Sequence, residues 1–161
     1  MALELSWTIE GDKQLSRVLR NIGEQVKDWT PAFRETAQEL VKVFSNDVFN
    51  TEGAAIGEKW KPLSPAYLAQ KRKAGYGSKG ILERTGKMRA SFQSLFKPDY
   101  AEVWNSIAYF KYHQSKALPR NVLPRRIMLK LGENQKQLIV KIFHTYWYQK
   151  VGKAIRQGKT A

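Results

Sequence analysis

Residues 30–49, TPAFRETAQELVKVFSNDVF, carry the strongest structural signal in the chain. Thr30 and Pro31 form a typical helix start, with Thr30 as the N-cap and Pro31 as the first helical residue. The apolar residues that follow have helical spacing: Phe33, Ala37, Leu40, Val41, Phe44 and Val48. The stretch therefore predicts one long amphipathic helix that ends at about Phe49 and packs its apolar stripe in a core.

Two further elements are predicted before this helix. A strand is indicated by apolar residues that alternate with polar or small ones, at Leu3, Leu5, Trp7 and Ile9. A helix is expected to begin at Asp12, because the apolar residues after it fall on one face: Leu15, Val18, Leu19 and Ile22. The change of period from two to 3.6 separates the two elements.

The residues after the long helix predict short elements joined by loops. We expect a loop at 51–63, followed by a helix that the N-cap pair Ser64-Pro65 opens and that ends at about Lys73. A glycine-rich loop at 75–80 and a turn at Thr85-Gly86 come next. Residues 92–97 and 100–107 then predict a hairpin. After a loop at 115–124, residues 127–131 fit either a strand or the start of the last helix. That helix is expected from Gln135 to about Ile155, and the tail from Arg156 on is expected to be frayed.

Together these patterns predict a single domain of the α+β class over residues 1–161. Long amphipathic helices would pack on a small, mostly antiparallel sheet, with long flexible loops between the elements.

Charge is distributed unevenly along the chain. The net charge is +14, but residues 1–58 hold 6 Lys/Arg and 10 Asp/Glu, whereas residues 59–161 hold 22 Lys/Arg and 4 Asp/Glu. A basic balance of this size favours binding to nucleic acid, to an anionic membrane or to an acidic protein surface. The uneven distribution also fits head-to-tail contact between copies of the chain, with acidic residues of one copy against basic residues of the next.

Composition excludes several classes of protein. The chain has no cysteine, which excludes disulfides and thiolate metal sites and agrees with a reducing cytosol. The first residues show neither a basic n-region nor an apolar h-region, so no secretory signal is expected. No stretch has the roughly 18 consecutive apolar residues of a membrane span. We therefore expect a protein that is intracellular when it is made and has no membrane partner.

The motifs that would indicate catalysis or a cofactor are incomplete. Gly75–Gly80 matches G-x-G-x-x-G, but it follows a basic helix end and not the strand that a dinucleotide site requires. Gly80 and Gly86-Lys87 are one residue too far apart for a phosphate-binding P-loop. His113 and His144 are the only histidines, and no carboxylate cluster accompanies either one. We therefore expect no enzyme activity, no cofactor, no metal and no small-molecule substrate.

A basic cluster with nearby tyrosines is the stronger candidate for binding. Its members lie within about twenty residues: Lys71, Arg72, Lys73, Lys79, Arg84, Lys87 and Arg89. Such a cluster suits salt-sensitive, sequence-independent contact with phosphates. A solvated loop that keeps the protein in solution explains the same residues equally well. The chain has no helix-turn-helix, zinc-finger or RNA-recognition signature, so specific base readout is not expected.

Several blocks in a fixed order resemble the phage virion morphogenesis family, the tail-completion proteins of Mu-like phages and prophages. Members of that family carry a phenylalanine at the end of a long helix, and the block Phe49–Gly53 resembles this feature through Phe49. Gly57–Tyr67 and Ile81–Phe92 resemble its G-x-x-W-x-P-L-S and I-L-x-x-T-G-x-L-x-x-S segments, with Met88 at the usual leucine. Tyr109–Gln114 and Leu123–Leu129 resemble its Y-A-x-x-H-Q and I-P-x-R-P-F-L segments less closely, because Phe110, Ile127 and Met128 differ from the pattern.

The resemblance implies a small α+β domain that forms a homo-oligomeric ring at the head–tail junction or the tail end of a virion. Expected partners are copies of the chain itself, other phage neck or tail proteins, and duplex DNA in the lumen of the ring; synthesis would take place in the host bacterial cytoplasm. The alternative is a non-specific nucleic-acid-binding protein unrelated to virions. The candidate interface or DNA-facing residues are Trp60, Lys71, Arg72, Lys73, Lys79, Arg84, Lys87, Arg89, His113, Gln114, Arg125 and Arg126. Of these, Trp60 is interpreted as an apolar anchor in its loop, and His113 and Gln114 as hydrogen-bonding residues at a packed or interface position.

Overall fold

The structure is a computed structural model that describes residues 12–25, 27–114 and 124–159. In these ranges the helices are α1 (Asp12–Gln25), α2 (Thr30–Lys42), α3 (Val48–Asn50), α4 (Pro65–Lys73), α5 (Lys87–Ala90), α6 (Phe110–Gln114) and α7 (Glu133–Lys159), and the strands are β1 (Phe92–Phe96) and β2 (Ala101–Asn105). The strand predicted at residues 3–9 lies outside the described residues. The α+β class is confirmed.

The long helix predicted from residues 30–49 is confirmed. It consists of α2, a π-helical segment at Val43–Asp47 and α3, joined without a break. Its start differs from the prediction, because Thr30 is the first helical residue and not the N-cap. The carboxylate of Asp28 accepts the backbone N–H of Thr30 at 2.9 Å and thereby takes over the capping role. Hydrogen bonds from Thr30 lower the pKa of Asp28 below its ordinary value.

The predicted hairpin is also confirmed. Strands β1 and β2 pair antiparallel, from Phe92 opposite Asn105 to Phe96 opposite Ala101. Phe92 is buried, whereas Leu95 and Trp104 on the opposite face of the hairpin are exposed. Helix α2 packs against both strands, so one face of the hairpin is covered by the long helix.

Aromatic rings from four elements form the centre of the core. Phe92 lies between Phe44 and Phe110, with ring centroids 6.2 and 5.8 Å away. Phe49, at the end of the long helix, packs edge-on against Trp60 at 5.5 Å. Burial of each such side chain contributes roughly 1.5–3 kcal/mol to folding. The rings therefore fix the positions of the hairpin, α6 and the 51–63 loop relative to the long helix.

Residues 127–131 are neither a strand nor a helix start, which corrects both alternatives drawn from the sequence. Residues 124–130 form an irregular segment with Ile127 and Met128 buried, and α7 begins after it at Glu133. The helix then continues to Lys159, past Arg156 where fraying was expected. The segment has no regular ladder because side chains supply its hydrogen bonds, as described below.

Helices α1 and α2 both pack on α7. Trp29, just before α2, stacks on Phe143 and Trp147 of α7, with centroid distances of 5.5 and 6.3 Å. Helix α1 begins at Asp12, as predicted, but Leu15 and Leu19 on its apolar face are 58% and 59% exposed. In the described part of the chain, this apolar stripe is therefore only partly covered.

Candidate interface site

Trp60 is a core residue. Its side chain is only 3% exposed, and its indole N–H donates to the carbonyl oxygen of Ile127 at 2.6 Å. The backbone of Gly53, in a left-handed conformation, lies against the indole; a Cβ there would come within 2.6 Å of the ring. The sequence-based interpretation as a loop anchor fits this position, but the indole has no surface left for a partner or for DNA.

The 51–63 loop has neither α-helix nor strand, as predicted, but it contains a 3-10 helical turn at Ala54–Ile56 and is held by its own hydrogen bonds. The N–H of Gly53 donates to the carbonyl of Val48 at 2.7 Å, and the N–H of Trp60 donates to the carbonyl of Glu52 at 2.7 Å. Ser64 then caps α4 as predicted, because its hydroxyl accepts the N–H of Tyr67 at 3.3 Å. The loop is therefore a fixed platform for the start of α4.

Gln114 ties α6 to the irregular segment. Its side-chain oxygen accepts the N–H groups of Met128 and Leu129 at 2.9 and 3.3 Å, and its amide nitrogen donates to the carbonyl of Leu129 at 2.6 Å. The guanidinium of Arg125 donates to the carbonyl of Gln114 at 3.2 Å. Gln114 thus provides the pairing that a neighbouring strand would otherwise give, which agrees with its interpretation as a hydrogen-bonding residue.

Arg126 is buried and touches the 51–63 loop. Arg126 is only 4% exposed. Its guanidinium donates two hydrogen bonds to the carbonyl oxygen of Lys61, at 3.2 and 3.0 Å. Burial lowers the pKa of this guanidinium, although electrostatic interactions with Tyr67 and Glu52 oppose the change. Nothing near Arg126 in the sequence indicated that it would be buried, since Arg125 beside it has the same charge and is exposed.

His113 lies next to Arg126 and is half-buried. The carbonyl of His113 accepts the backbone N–H of Arg126 at 2.9 Å. Burial lowers the pKa of the imidazole, and the charge of Arg126 lowers it further. The imidazole is therefore neutral at pH 7, and its Nδ1 atom is buried with no hydrogen-bond partner among the described residues.

Lys71 is the one member of the basic cluster that is nearly fully buried. It is 6% exposed, and its ammonium group donates to the carbonyls of Lys79 and Gly80 at 2.5 and 2.7 Å. The glycine-rich loop thus folds back over α4 around this lysine. Two of the three N–H donors of Lys71 are engaged inside the fold, which leaves little of it to face DNA.

Arg89 also serves the fold. It forms an ion pair of 2.6 Å with Glu83 and donates to the side-chain oxygens of Asn46 and Asn50, both at 3.1 Å. These contacts join α5 to the end of the long helix. Asn46 and Asn50 are one helical turn apart, a spacing that was visible in the sequence, but nothing local indicated that an arginine would bind them.

The remaining basic residues of the cluster lie at the surface. Arg72, Lys73, Lys79, Arg84 and Lys87 are exposed. Arg84 lies over the ring of Tyr76, with its guanidinium carbon 5.1 Å from the ring centroid. The structure thus divides the predicted cluster into two cations engaged inside the fold, the buried Lys71 and the partly buried Arg89, and exposed cations that face solvent.

A cavity of about 720 Å³ brings several of these residues together. Its walls come from residues 61–64, α4, residues 82–88, His113 and Arg126. Four of its lining residues are cationic: Lys61, Lys71, Arg84 and Arg126. The cavity therefore collects residues that were singled out from separate parts of the sequence. Gln114, Arg125 and the exposed lysines of the cluster are not part of it.

The described ranges contain neither a candidate metal centre nor a membrane-spanning helix. These ranges contain no group of three or more His, Cys, Asp or Glu side chains that could hold a metal ion. None of their helices combines the length and the apolar character that crossing a bilayer requires.

Comparison with known families gives one match. The model of the phage virion morphogenesis family matches residues 11–147, which include every element from α1 to most of α7. Neither the curated proteins nor the solved structures contain a significant match. The matched range also contains all twelve candidate residues. The chain belongs to the phage virion morphogenesis family, whose members have a structural or assembly role in the phage particle.

Proposed function

We propose that this chain is a non-enzymatic structural component of the virion that forms a homo-oligomeric ring and acts in tail completion or at the head–tail junction. The observation that carries this proposal is the exposed apolar stripe of α1. Leu15 and Leu19 are more than half exposed although α1 has the pattern of a helix with one buried face. Exposed apolar side chains at consecutive turns are typical of a surface that a partner covers.

The distribution of charge supports contact between copies. Ten of the fourteen acidic residues precede residue 59, and the chain after that point is strongly basic. A ring formed by head-to-tail contacts places different surfaces of two copies against each other. Opposite charges on those surfaces favour one register and speed association.

The outer face of the hairpin supports contact with other neck or tail proteins. Leu95 and Trp104 are both exposed on this face, on neighbouring strands. Aromatic residues are enriched at protein interfaces. This face is separate from α1, so it remains available for a second partner.

The ring proposal is tested by the molecular mass in solution, measured by light scattering over a range of protein concentrations. We expect the mass to rise to a discrete multiple of the 18.6 kDa chain. Leu19→Glu should shift the equilibrium towards the monomer, because a carboxylate would then enter the apolar contact. Ser16→Glu adds the same charge to an exposed position of the same helix and should leave the mass unchanged. A wild-type chain that stays monomeric at every concentration contradicts the proposal.

Exposed cations support a further proposal, that duplex DNA passes through the lumen of the ring. Arg72, Lys73, Lys79 and Lys87 are exposed, as phosphate contacts require. We expect duplex DNA to bind at low salt and to be released as the salt concentration rises. Replacement of Lys73 and Lys79 by Gln should reduce the salt dependence by up to about one unit of slope per lost contact.

The matched control replaces Lys141 and Lys153, two exposed lysines of α7, by Gln. It removes the same charge and should leave the salt dependence nearly unchanged. Absence of binding at low salt contradicts the DNA proposal. Tight DNA binding by a chain that is monomeric at every concentration would instead favour the alternative function, a non-specific nucleic-acid-binding protein.

A further inference from the structure

The cationic cavity has no acidic residue among the described residues of its walls. Lys61, Lys71, Arg84 and Arg126 line it, and none of the other lining residues in the described part of the chain is an Asp or a Glu. The half-buried, neutral His113 completes the polar side of the cavity. The local charge is therefore strongly positive.

Two of these cations are almost completely removed from water. Lys71 and Arg126 donate to backbone carbonyl oxygens, and neither forms an ion pair with a carboxylate within the ranges that the structure describes. Glu52 raises the pKa of Arg126 through its charge, but its carboxylate is paired with Lys59 at 3.1 Å. Buried charges are normally balanced by an opposite charge. The cavity therefore favours binding of an anion, since none of its described lining residues supplies a negative charge.

The chain around the cavity does not contain a suitable acid. Residues 59–82 and 84–98 have no Asp or Glu, and Glu83 is already paired with Arg89. Residues 115–123, outside the described ranges, contain two cations and no acid. The missing negative charge must therefore come from a distant segment or from another molecule.

The shape of the cavity selects among the possible anions. The apolar side chains of Leu63, Leu82 and Met88 lie beside the cations in its walls. A recess of this kind fits a side-chain carboxylate with an apolar neighbour. The phosphates of duplex DNA are on the outside of a stiff rod, so they suit the exposed lysines better than a recess.

We propose that this cavity binds the acidic segment Met1–Asp12 of a second copy of the chain. The segment carries Glu4, Glu10 and Asp12 among Leu3, Leu5, Trp7 and Ile9, and it has no Lys or Arg. It thus has both features that the cavity requires, carboxylates and adjacent apolar side chains. The segment leads into α1, and none of the described lining residues belongs to α1, which agrees with a contact between copies. The inference rests on the proposed ring, because it names one contact by which neighbouring copies would join.

The test uses the full chain at a concentration at which its mass is that of a monomer. A fluorescein-labelled peptide of residues 1–12 is titrated with the protein, and its anisotropy is followed. A control peptide carries Gln in place of Glu4 and Glu10 and Asn in place of Asp12. We expect the control peptide to bind at least about tenfold more weakly, since it lacks the charge-assisted hydrogen bonds.

Two protein variants locate the binding. Arg84→Gln removes an exposed cation that lines the cavity, and we expect it to weaken binding of the acidic peptide about two- to fivefold. Arg72→Gln removes another exposed cation, one that is not among the lining residues of the cavity, and should have no effect. Both positions are exposed, so neither variant depends on the repacking of a buried charge.

An NMR titration of His113 gives an independent readout. Binding of the acidic peptide should raise the pKa of this imidazole, because a carboxylate would enter the cavity that it lines. The inference is overturned if the neutral peptide binds as well as the acidic one, if Arg84→Gln and Arg72→Gln have equal effects, or if binding leaves His113 unchanged. It is also overturned if a short DNA duplex displaces the peptide and shifts His113 in the same way. Since the peptide is tested on the monomer, these outcomes are distinct from failure of the ring, which the effect of Leu19→Glu on mass reports.

Discussion

The indole N–H of Trp60 and the carbonyl oxygen of Ile127 form a hydrogen bond of 2.6 Å between residues 67 positions apart. Both residues are buried. The bond joins the 51–63 loop to the irregular segment at 124–130, and the backbone geometry of both depends on it. The two walls of the cationic cavity that contain Lys61 and Arg126 are thereby held together.

Replacement of Trp60 by Phe tests this connection. The variant keeps an aromatic ring against Phe49 but leaves the buried carbonyl of Ile127 without its donor, so we expect a loss of about 1–3 kcal/mol in the free energy of unfolding. Trp104→Phe makes the same chemical change at an exposed position of the hairpin and should stay within about 0.5 kcal/mol of wild type. Urea unfolding measures both. Equal effects would mean that the hydrogen bond adds nothing to stability.

The two glycines of the 51–63 loop should respond differently to replacement by Ala. Gly57 has φ 72° and open space around its Cα, so Gly57→Ala should cost only the left-handed conformation, about 1–2 kcal/mol. At Gly53 an added Cβ would also clash with the backbone carbonyl oxygen of Glu58. We therefore expect Gly53→Ala to destabilise the protein by a further 1–3 kcal/mol or so. Thermal or urea unfolding of the two variants measures this difference in stability. Similar losses of unfolding free energy in both variants would contradict the close approach of the Glu58 carbonyl to Gly53.

Gln114→Met should destabilise the protein by about 1–3 kcal/mol. The side chain keeps its length but can no longer pair with the backbone of Met128 and Leu129. Gln38→Met makes the same change on the exposed side of α2 and serves as the control. Hydrogen exchange at the amides of Met128 and Leu129 should accelerate only in the first variant. Unchanged exchange would show that other groups protect this segment.

Stability should fall as the pH decreases below about 6.5, partly because of His113. Burial, and then the charge of Arg126, lowers the pKa of this residue in the folded protein. The unfolded chain therefore takes up a proton at a higher pH than the folded chain. The contribution of His113 is complete above the unfolded pKa of roughly 6.5 and is lost as the pH falls through the folded pKa.

His113→Gln should make the unfolding free energy less dependent on pH in that window, with little change above it. The measurement is a series of urea unfolding curves between about pH 5 and pH 8. A pH dependence identical to that of wild type would exclude a depressed folded pKa at this residue.

The elements with complete local signals could be predicted from the sequence. The long helix has an unbroken apolar stripe in the sequence. Ser64 precedes a proline and caps α4 as predicted. The hairpin has two strand-like stretches of similar length on either side of a turn that contains a proline. In each of these cases the residues that determine the structure lie within a few positions of one another. The predicted N-cap of the long helix was wrong by contrast, because Asp28, two residues before Thr30, accepts the N–H of Thr30 and the helix already begins at that residue.

The candidate site was less predictable because its geometry depends on distant partners. Lys71 and Arg126 looked like surface cations from their charge, and only the fold brings the carbonyls of the glycine-rich loop and of Lys61 to them. Residues 127–131 fitted both a strand and a helix start. They are neither, since Gln114, at least 14 positions away, accepts the N–H groups of Met128 and Leu129. Composition correctly indicated a concentration of positive charge, but not which cations are buried.

The π-helical segment Val43–Asp47 gives one continuous helix two directions of packing. Helix α2 before it packs on the hairpin and on α7, whereas α3 after it contacts the 54–56 turn, and Phe49 meets Trp60. The widened turn accommodates one extra residue, and each residue of a helix turns the following side chains by about 100°. Loss of one residue within this segment could therefore be absorbed by a return to regular α-helical turns, which would leave Val48 and Phe49 on the same face. A deletion elsewhere in the long helix has no such outlet and would turn both side chains away from their pockets.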